Sequence, residues 1–229
     1  WVYDIKQDAE GNILRYKARL VAQGFSQKEG VDFTDTFAPT MHLKTMRLLL
    51  SLAAAKKMED RQYDVSTAFL HASLKEEVFV AQPPGHVTAG KEGWVYRLNK
   101  AMYGLRNAPK AWGDFFQAQL KEQGFVQSQQ DECLWTLTAG ESVIHILYHV
   151  DDSLVVSNDE VLRDVVMTAL GKRLKLRDEG PPKLFLGVTI TRNEDGSFNL
   201  DNRHYIEKIA RRFNIDEDAK PVLTPTRYF

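Results

Sequence analysis

A single cysteine, Cys133, among 229 residues rules out a disulfide framework and suits a reducing compartment. No apolar run approaches the ~20 residues that a membrane-spanning helix needs, and no leader-peptide pattern opens the chain. Eight Pro and 14 Gly are too few for a collagen-like or linker-dominated protein. Nor is there a surplus of charge: 30 basic residues stand against 31 acidic ones, for a net charge of −1. Taken alone, that balance speaks against a nucleic-acid-binding domain, which ordinarily carries a basic excess. What is present is a globular composition, 43% apolar and 27% charged, long enough for one large domain or two closely packed lobes. The chain opens on Trp1 rather than Met, inside an expected strand, and Thr224 to Phe229 trail after two prolines. It reads as a piece of a longer polypeptide.

The near-neutral total averages an uneven map. Arg97, Lys100, Arg106 and Lys110 fall within 14 residues that contain no acid. From Glu122 to Glu160 there are eight acids (122, 131, 132, 141, 151, 152, 159, 160) and no Lys or Arg. The chain then turns basic, with Arg163, Lys172, Arg173, Lys175 and Arg177 against Asp164, and later Arg203, Lys208, Arg211 and Arg212. Single charge runs are usually solvated faces. Alternating basic, acidic and basic blocks suit a cleft in which cations meet phosphates and acids hold metal ions.

Patterning predicts a hairpin from Trp1–Lys6 and Ile13–Ala22 across Gly11–Asn12, and a helix over Leu43–Lys57 with Leu43, Met46, Leu49, Leu50, Ala53 and Ala54 on its buried face. A short strand over Arg61–Val65 ends in a small polar turn. Val78–Ala81 and Trp94–Leu98 flank a Pro-Pro-Gly loop. Pro109 opens a helix that Gly124 stops, with Trp112 in its apolar stripe; Trp112 and Cys133 read as core. Val143–Val150 and Leu154–Val156 are apolar runs that meet at Asp151–Asp152, a hairpin with two acids at its apex. A helix over Val161–Leu170 takes Asn158 or Asp159 as its cap. Lys183–Arg192 and Ser197–Leu200 form a hairpin about Asp195–Gly196, and Tyr205–Phe213 is a basic helix. Mixed helices and hairpins give an α+β fold rather than a doubly wound parallel sheet.

Gly85 to Glu92 matches a phosphate-binding loop up to its last position. Glu92 stands where Ser or Thr should ligate magnesium, Pro83–Pro84 replace the buried strand, and Gly93-Trp94-Val95 replace the helix. It reads as an ordinary loop. The carboxylates are more telling. Asp is common in turns, yet Asp151 and Asp152 lie between runs so apolar that their hairpin is expected to be central and buried on at least one face. Adjacent carboxylates there repel and lose hydration, at several kcal/mol each in order of magnitude, and divalent cations would remove that penalty. Asp64 ends a short strand and can converge with them, the layout of a two-metal centre whose ions stand ~3.5–4 Å apart.

Ordered motifs then accumulate along the chain: Trp1-Val2-Tyr3, Tyr16-Lys17-Ala18-Arg19-Leu20-Val21-Ala22-Gln23-Gly24-Phe25, Phe37-Ala38-Pro39, Asp64-Val65-Ser66-Thr67-Ala68-Phe69-Leu70-His71 and Gln82-Pro83-Pro84-Gly85. Tyr103-Gly104-Leu105-Arg106-Asn107-Ala108-Pro109, Val150-Asp151-Asp152, Phe185-Leu186-Gly187 and Lys220-Pro221 complete them. Together they resemble the reverse transcriptase of copia-type LTR retrotransposons over essentially the whole chain.

That resemblance implies an RNA-directed DNA polymerase with a right-hand fold: fingers over 1–58 and 72–107, palm over 59–71 and 108–202, and the start of a thumb over 203–229, the palm sheet being antiparallel with helices on one face. It implies Asp64, Asp151 and Asp152 as catalytic carboxylates that bind two Mg²⁺, or Mn²⁺ in their place, with Val65 adding its carbonyl. Lys17, Arg19, Thr67, Ala68, Phe69 and Asn107 would face the dNTP, with Phe69 as the gate against a ribose 2′-OH. Arg106, His149, Phe185, Leu186 and Gly187 would face primer and template, and Lys175 or Arg177 would protonate the leaving pyrophosphate. Lys17 and Arg19 could equally be a solvated strand face, and Phe69 an ordinary core aromatic. The implied partners are an RNA or DNA template with primer, dNTPs and the integrase and RNase H parts of a polyprotein, in the cytoplasm within virus-like particles and with no membrane. Two positions depart from the family: His149 stands where Tyr is usual, and Asn107 where Gln is usual. They keep open a second reading, a polymerase-fold fragment that binds nucleic acid without extending it.

Overall fold

The computed structural model describes residues 1–7 and 12–215. The expected Gly11–Asn12 turn lies in part, and Lys220-Pro221 and the 216–229 end of the expected thumb lie wholly, outside the described residues. Strands β1 (Val2–Gln7) and β2 (Ile13–Arg19) pair antiparallel as a separate ribbon. Their register gives the ribbon two unlike faces. Asp4, Arg15, Lys17 and Arg19 share one, and Tyr3, Ile5, Tyr16 and Ala18 share the other. Lys17 and Arg19 are half-buried, whereas Tyr3 and Tyr16 stand in solvent. The charged face is the one turned toward the body of the protein.

Helix α1 (Leu43–Lys56) leads into β3 (Glu59–Val65), a short 3-10 turn follows at Ala68–His71, and β4 (Phe79–Ala81) pairs with β5 (Val95–Arg97). Helix α2 (Ala108–Glu122) carries its proline in the first turn and ends before Gly124, whose φ of 86° gives the left-handed exit that glycine allows. Then come β6 (Val126–Gln127), β7 (Leu134–Ala139), β8 (Ser142–His149), β9 (Asp152–Ser157), α3 (Glu160–Gly171) and β10 (Leu176–Gly180). The chain closes with β11 (Leu184–Phe185), β12 (Val188–Arg192), β13 (Phe198–Asp201) and α4 (Arg203–Arg212). Six strands form the central antiparallel sheet in the order β10-β3-β9-β8-β7-β6, and β11-β12-β13 form a smaller one.

Leu147, Leu154, Val155 and Val156 are fully enclosed in the central strands. Each such side chain contributes about 1.5–3 kcal/mol on leaving water, and since neighbours along β9 face opposite sides, the sheet is buried on both faces there. Helices α2 and α3 cover the face that bears Tyr63, Ser153 and Tyr148: Phe116 meets the Tyr148 ring edge-on at 4.9 Å, and Arg163 reaches Glu59 at 3.6 Å. The opposite face bears Asp60, Gln62, Asp64 and Asp152. There Arg192 of β12 pairs with Asp60 and donates to the Met58 carbonyl at 3.0 Å, which anchors the small sheet.

Several expectations change. The carboxylate apex is displaced by one residue: the two-residue turn is Val150–Asp151, and Asp152 is already the first residue of β9, opposite His149. The expected strand Lys183–Arg192 is two strands, broken at Leu186–Gly187, where both φ angles are positive (49° and 81°), the geometry of a tight hairpin turn. β2 stops at Arg19 rather than Ala22, because the chain leaves the ribbon to cross another loop. Patterning did not anticipate β6, β7 or β10. Asp159, not Asn158, caps α3 by accepting from the Leu162 amide at 2.9 Å. Trp112 and Cys133 are buried, as expected.

Helix α1 has no cap of its own, since the His42 side chain makes no capping bond. Asp131, just ahead of β7, supplies one: it accepts from the His42 amide at 3.0 Å and the Thr45 hydroxyl at 2.6 Å, and from the Cys133 amide at 3.0 Å. Burial alone would push this carboxyl up, but the Thr45, His42 and Cys133 donors outweigh it and hold it below the ordinary carboxylate value. A carboxyl depressed in the folded state stabilises it above the unfolded pKa, and that stability is lost as pH falls through the folded value. Asp131→Asn should therefore cost about 1–3 kcal/mol at pH 7. Urea titrations should show the gap narrowing once the pH drops below about 4.

Candidate active site

Three elements of the central sheet bring the expected carboxylates together. β3 pairs antiparallel with β9 so that Asp64 lies directly opposite Asp152. β8 and β9 join through Val150 and Asp151, which sets Asp151 at the tip beside them. Val150 has a φ of 56°, a left-handed conformation that costs a β-branched residue on the order of 1–3 kcal/mol. Two outside donors hold the turn there. The Trp112 indole N–H donates to the Val150 carbonyl at 2.7 Å, and the Val65 amide donates to the Asp151 carbonyl at 2.8 Å.

The acidic cluster is electrically tense. The Asp152 carboxyl is pushed above its ordinary value, first by burial and then by the charge of Asp151, with Asp64 and Glu179 adding to it. The Gln62 amide opposes this by donating to Asp152 Oδ1 at 3.4 Å. Arg177, directly across β10 from Asp64, approaches Asp64 Oδ2 at 3.8 Å and also pairs with Glu179. Among the described residues, no three His, Cys, Asp or Glu side chains are already disposed to enclose a metal ion. An open set of hard oxygen donors under mutual repulsion nonetheless fits magnesium, which keeps waters and takes one or two carboxylates plus substrate phosphates.

The other expected residues divide. Tyr103 gathers one group: its hydroxyl is held above the ordinary tyrosine value by burial first, then by Asp151, with Arg19 opposing and Asp64 adding. Arg19 of the ribbon, Asp64 of β3 and Asp151 of the apex therefore share one neighbourhood, with Lys17 on the ribbon face of Arg19. Phe69 packs edge-on against Tyr103, ring centres 4.8 Å apart. Thr67 is left-handed at φ 57°, Ala68 is buried, and the Ser66 amide donates to the Lys175 carbonyl at 2.9 Å, which draws Lys175 to this turn.

A second group is engaged elsewhere. Asn107 is buried, bonded to Glu76 at 3.3 Å and Gln27 at 3.4 Å, at a cavity of about 400 Å³ that Asp35, Lys75 and Lys110 also line. Arg106 spends its guanidinium on the carbonyls of Gly24 and Phe25, at 2.9 and 3.4 Å. Phe185 is enclosed in the small sheet, with Leu186 and Gly187 at its turn. His149 pairs across from Asp152, and its buried Nδ1 has no hydrogen-bond partner. The Gly85–Glu92 loop is an ordinary loop: the Gly90 amide donates to Glu92 itself at 2.9 Å.

Sequence reasoning did not single out Gln62, Tyr103 as a neighbour of the acids, or Glu179. Strand alternation could have found Gln62, which stands two residues before Asp64 and so on the same face. The β10 register that brings Arg177 and Glu179 in has no comparable local signal.

Comparison with known proteins shows the family. The model of the family described as "Reverse transcriptase (RNA-dependent DNA polymerase)" matches residues 1–228. The chain is 40% identical over 227 residues to the Retrovirus-related Pol polyprotein from transposon TNT 1-94 of Nicotiana tabacum, covering 98% of this chain and 17% of that protein. It is 39% identical over 225 residues to the corresponding RE2 polyprotein of Arabidopsis thaliana, covering 98% and 15%. It is also 33% identical over 153 residues to the putative transposon Ty5-1 protein YCL074W of Saccharomyces cerevisiae, covering 67% and 50%. The chain belongs to the reverse transcriptase family, a family of nucleotidyltransferases. Within it, the chain groups with the Pol polyproteins of copia-type retrotransposons, of whose length it spans 15–17%. No helix among the described residues is long and apolar enough to cross a membrane.

The ribbon and Tyr103 are locked together by two glycines. The Ala22 amide donates to the Tyr103 carbonyl at 2.7 Å, and the Gly24 amide to that of Gly104 at 3.1 Å. A Cβ on Gly104, where φ is 91°, would lie 2.1 Å from the Ala22 carbonyl oxygen, and backbone cannot yield as a side chain can. Gly104→Ala should destabilise the protein by at least about 2 kcal/mol in urea unfolding.

Proposed function

We propose that the chain is an RNA-directed DNA polymerase module, which transfers a nucleotide from a dNTP to a primer 3′-OH on an RNA or DNA template. The observation that carries this reading is the β3–β9 register that sets Asp64 opposite Asp152 beside Asp151, in a chain of this family. In the layout we favour, 1–58 and 72–107 are fingers, 59–71 and 108–202 are palm, and 203–229 begin the thumb.

Asp64, Asp151, Asp152 and the Val65 carbonyl would hold two Mg²⁺, or Mn²⁺. When bound, such ions supply Lewis-acid activation of the attacking hydroxyl and neutralise the leaving pyrophosphate. The protein's own groups do the rest. Lys17 and Arg19 meet the triphosphate from the ribbon face turned inward, and the backbone at Thr67 and Ala68 cradles it. Phe69, propped by Tyr103, excludes a ribose 2′-OH. His149 and the Phe185-Leu186-Gly187 turn position the primer, and Arg106 and Asn107 shape the template and nucleotide side through the loop they hold. Lys175, drawn to the Ser66 turn, donates a proton to pyrophosphate, with Arg177 as the alternative donor. The partners of an intact element are the integrase and RNase H parts of its polyprotein, in cytoplasmic virus-like particles.

The rival is a fragment that grips nucleic acid without extending it. The observation in its favour is that Asn107 is tied to Glu76 and Gln27, while His149 keeps a buried, unpartnered nitrogen. Primer extension on an RNA template with Mg²⁺ separates the two. Wild-type protein should extend, and Asp151→Asn should lose at least about 100-fold. Salt-dependent binding with equal, negligible extension by both would establish the rival. Phe69→Val should lower discrimination against ribonucleotides by about 10- to 200-fold in kcat/KM; an unchanged ratio would place the sugar gate elsewhere.

A further inference from the structure

Trp112 has every mark of a packing residue. It is 1% exposed, and its ring stacks on Phe116 with centres 5.3 Å apart. A buried indole also carries one N–H that must find an acceptor. Here the acceptor is the carbonyl of Val150 at 2.7 Å, 38 residues away, at the left-handed apex of the β8–β9 hairpin. The next carbonyl along, that of Asp151, accepts from the Val65 amide of β3. Two successive carbonyls are thus gripped from two different elements. The Asp151 Cα joins the two peptide planes that carry those carbonyls, so the grips together decide where the Asp151 side chain points and where β9 begins.

Valine does not choose this conformation, because glycine or asparagine is the residue that takes φ near +56° at low cost. Without an external donor on the Val150 carbonyl, the two-residue turn could rearrange to relieve the strain and carry Asp151 with it. We propose that Trp112 is a positioning residue: its indole N–H clamps the Val150 carbonyl, holds the strained apex, and so aims Asp151 and Asp152 into the acidic cluster. The consequence for catalysis rests on the polymerase reading above. The clamp itself is a property of the folded chain and can be read without it.

Three variants and one control test this. Trp112→Phe keeps an aromatic ring and removes the donor. Val150→Gly removes the strain that the donor opposes, and Trp112→Phe/Val150→Gly combines the two. The control is Trp135→Phe: Trp135 is equally buried, and its indole donates to Glu132 at 3.1 Å, outside the apex. In Trp112→Phe, amide exchange over 149–152 should accelerate at least about tenfold, and kcat should fall by about 10- to 100-fold with KM for dNTP within about twofold. Both should return to within about threefold of wild type in the double variant, and Trp135→Phe should change neither. Simple loss of packing at Trp112 would not be rescued by a glycine at 150. Apex exchange unchanged in Trp112→Phe, exchange accelerated without loss of kcat, or no rescue by Val150→Gly would each overturn the proposal.

If wild-type protein does not extend primers, the polymerase reading fails, and exchange together with Mn²⁺ binding decides the clamp. Trp112→Phe should then weaken Mn²⁺ binding at least about fivefold, with recovery in the double variant. Exchange and binding that both match wild type overturn it. If Trp112→Phe does not fold, the wild-type protein answers alone: its Trp112 indole N–H should be strongly protected from exchange, and exchange as fast as a free indole would overturn the proposal.

Discussion

Like charges placed directly opposite each other across an antiparallel pair push the strands apart. In this protein Asp64 and Asp152 occupy such a pair, with Asp151 at the adjoining tip. The rest of the central sheet can be understood as the structure that holds this register against its own repulsion. Leu154 and Val156 on β9 and Leu147 on β8 are sealed from water, so parting the strands to separate the acids would expose the core. Gln62 donates to one carboxylate and Arg177 approaches another.

The same logic extends outward from the sheet. The β1–β2 ribbon has no hydrophobic reason to present Lys17 and Arg19 inward and Tyr3 and Tyr16 outward. Its orientation is set at its base, where the chain crosses itself at Gly24 and Gly104 so closely that no side chain fits. Backbone hydrogen bonds at that crossing join the ribbon to Tyr103, and Tyr103 in turn touches Phe69. A contact between two loops thereby brings a cationic strand to the neighbourhood of the acids.

Much of this was legible in the sequence. The apolar runs on either side of Asp151–Asp152 announced a buried hairpin, the short β-prone stretch Arg61–Val65 announced β3, and Pro109 and Gly124 bounded α2. The three carboxylates stood out because burial and like charge are costly together. What escaped had no local signature. The Val150 turn is held by Trp112 and Val65, so its position depends on distant donors rather than on turn-forming residues. Leu186 is a poor residue for a left-handed turn, which hid the break between β11 and β12. β10, written Leu176-Arg177-Asp178-Glu179-Gly180, carries little apolar patterning, and only pairing with β3 makes it a strand. Asn107 and Arg106 could be named from motifs, but their partners, Glu76, Gln27 and the carbonyls of 24 and 25, could not.

The capping of α1 has a consequence for how the chain is made. Asp131, which accepts from the His42 amide and the Thr45 hydroxyl at the helix start, lies 86 residues beyond Thr45. On a ribosome, α1 is therefore synthesised long before its cap exists. Until Asp131 has emerged, the His42 amide and the Thr45 hydroxyl must take water in its place. The order of synthesis and the order of consolidation are different sequences of events in this protein.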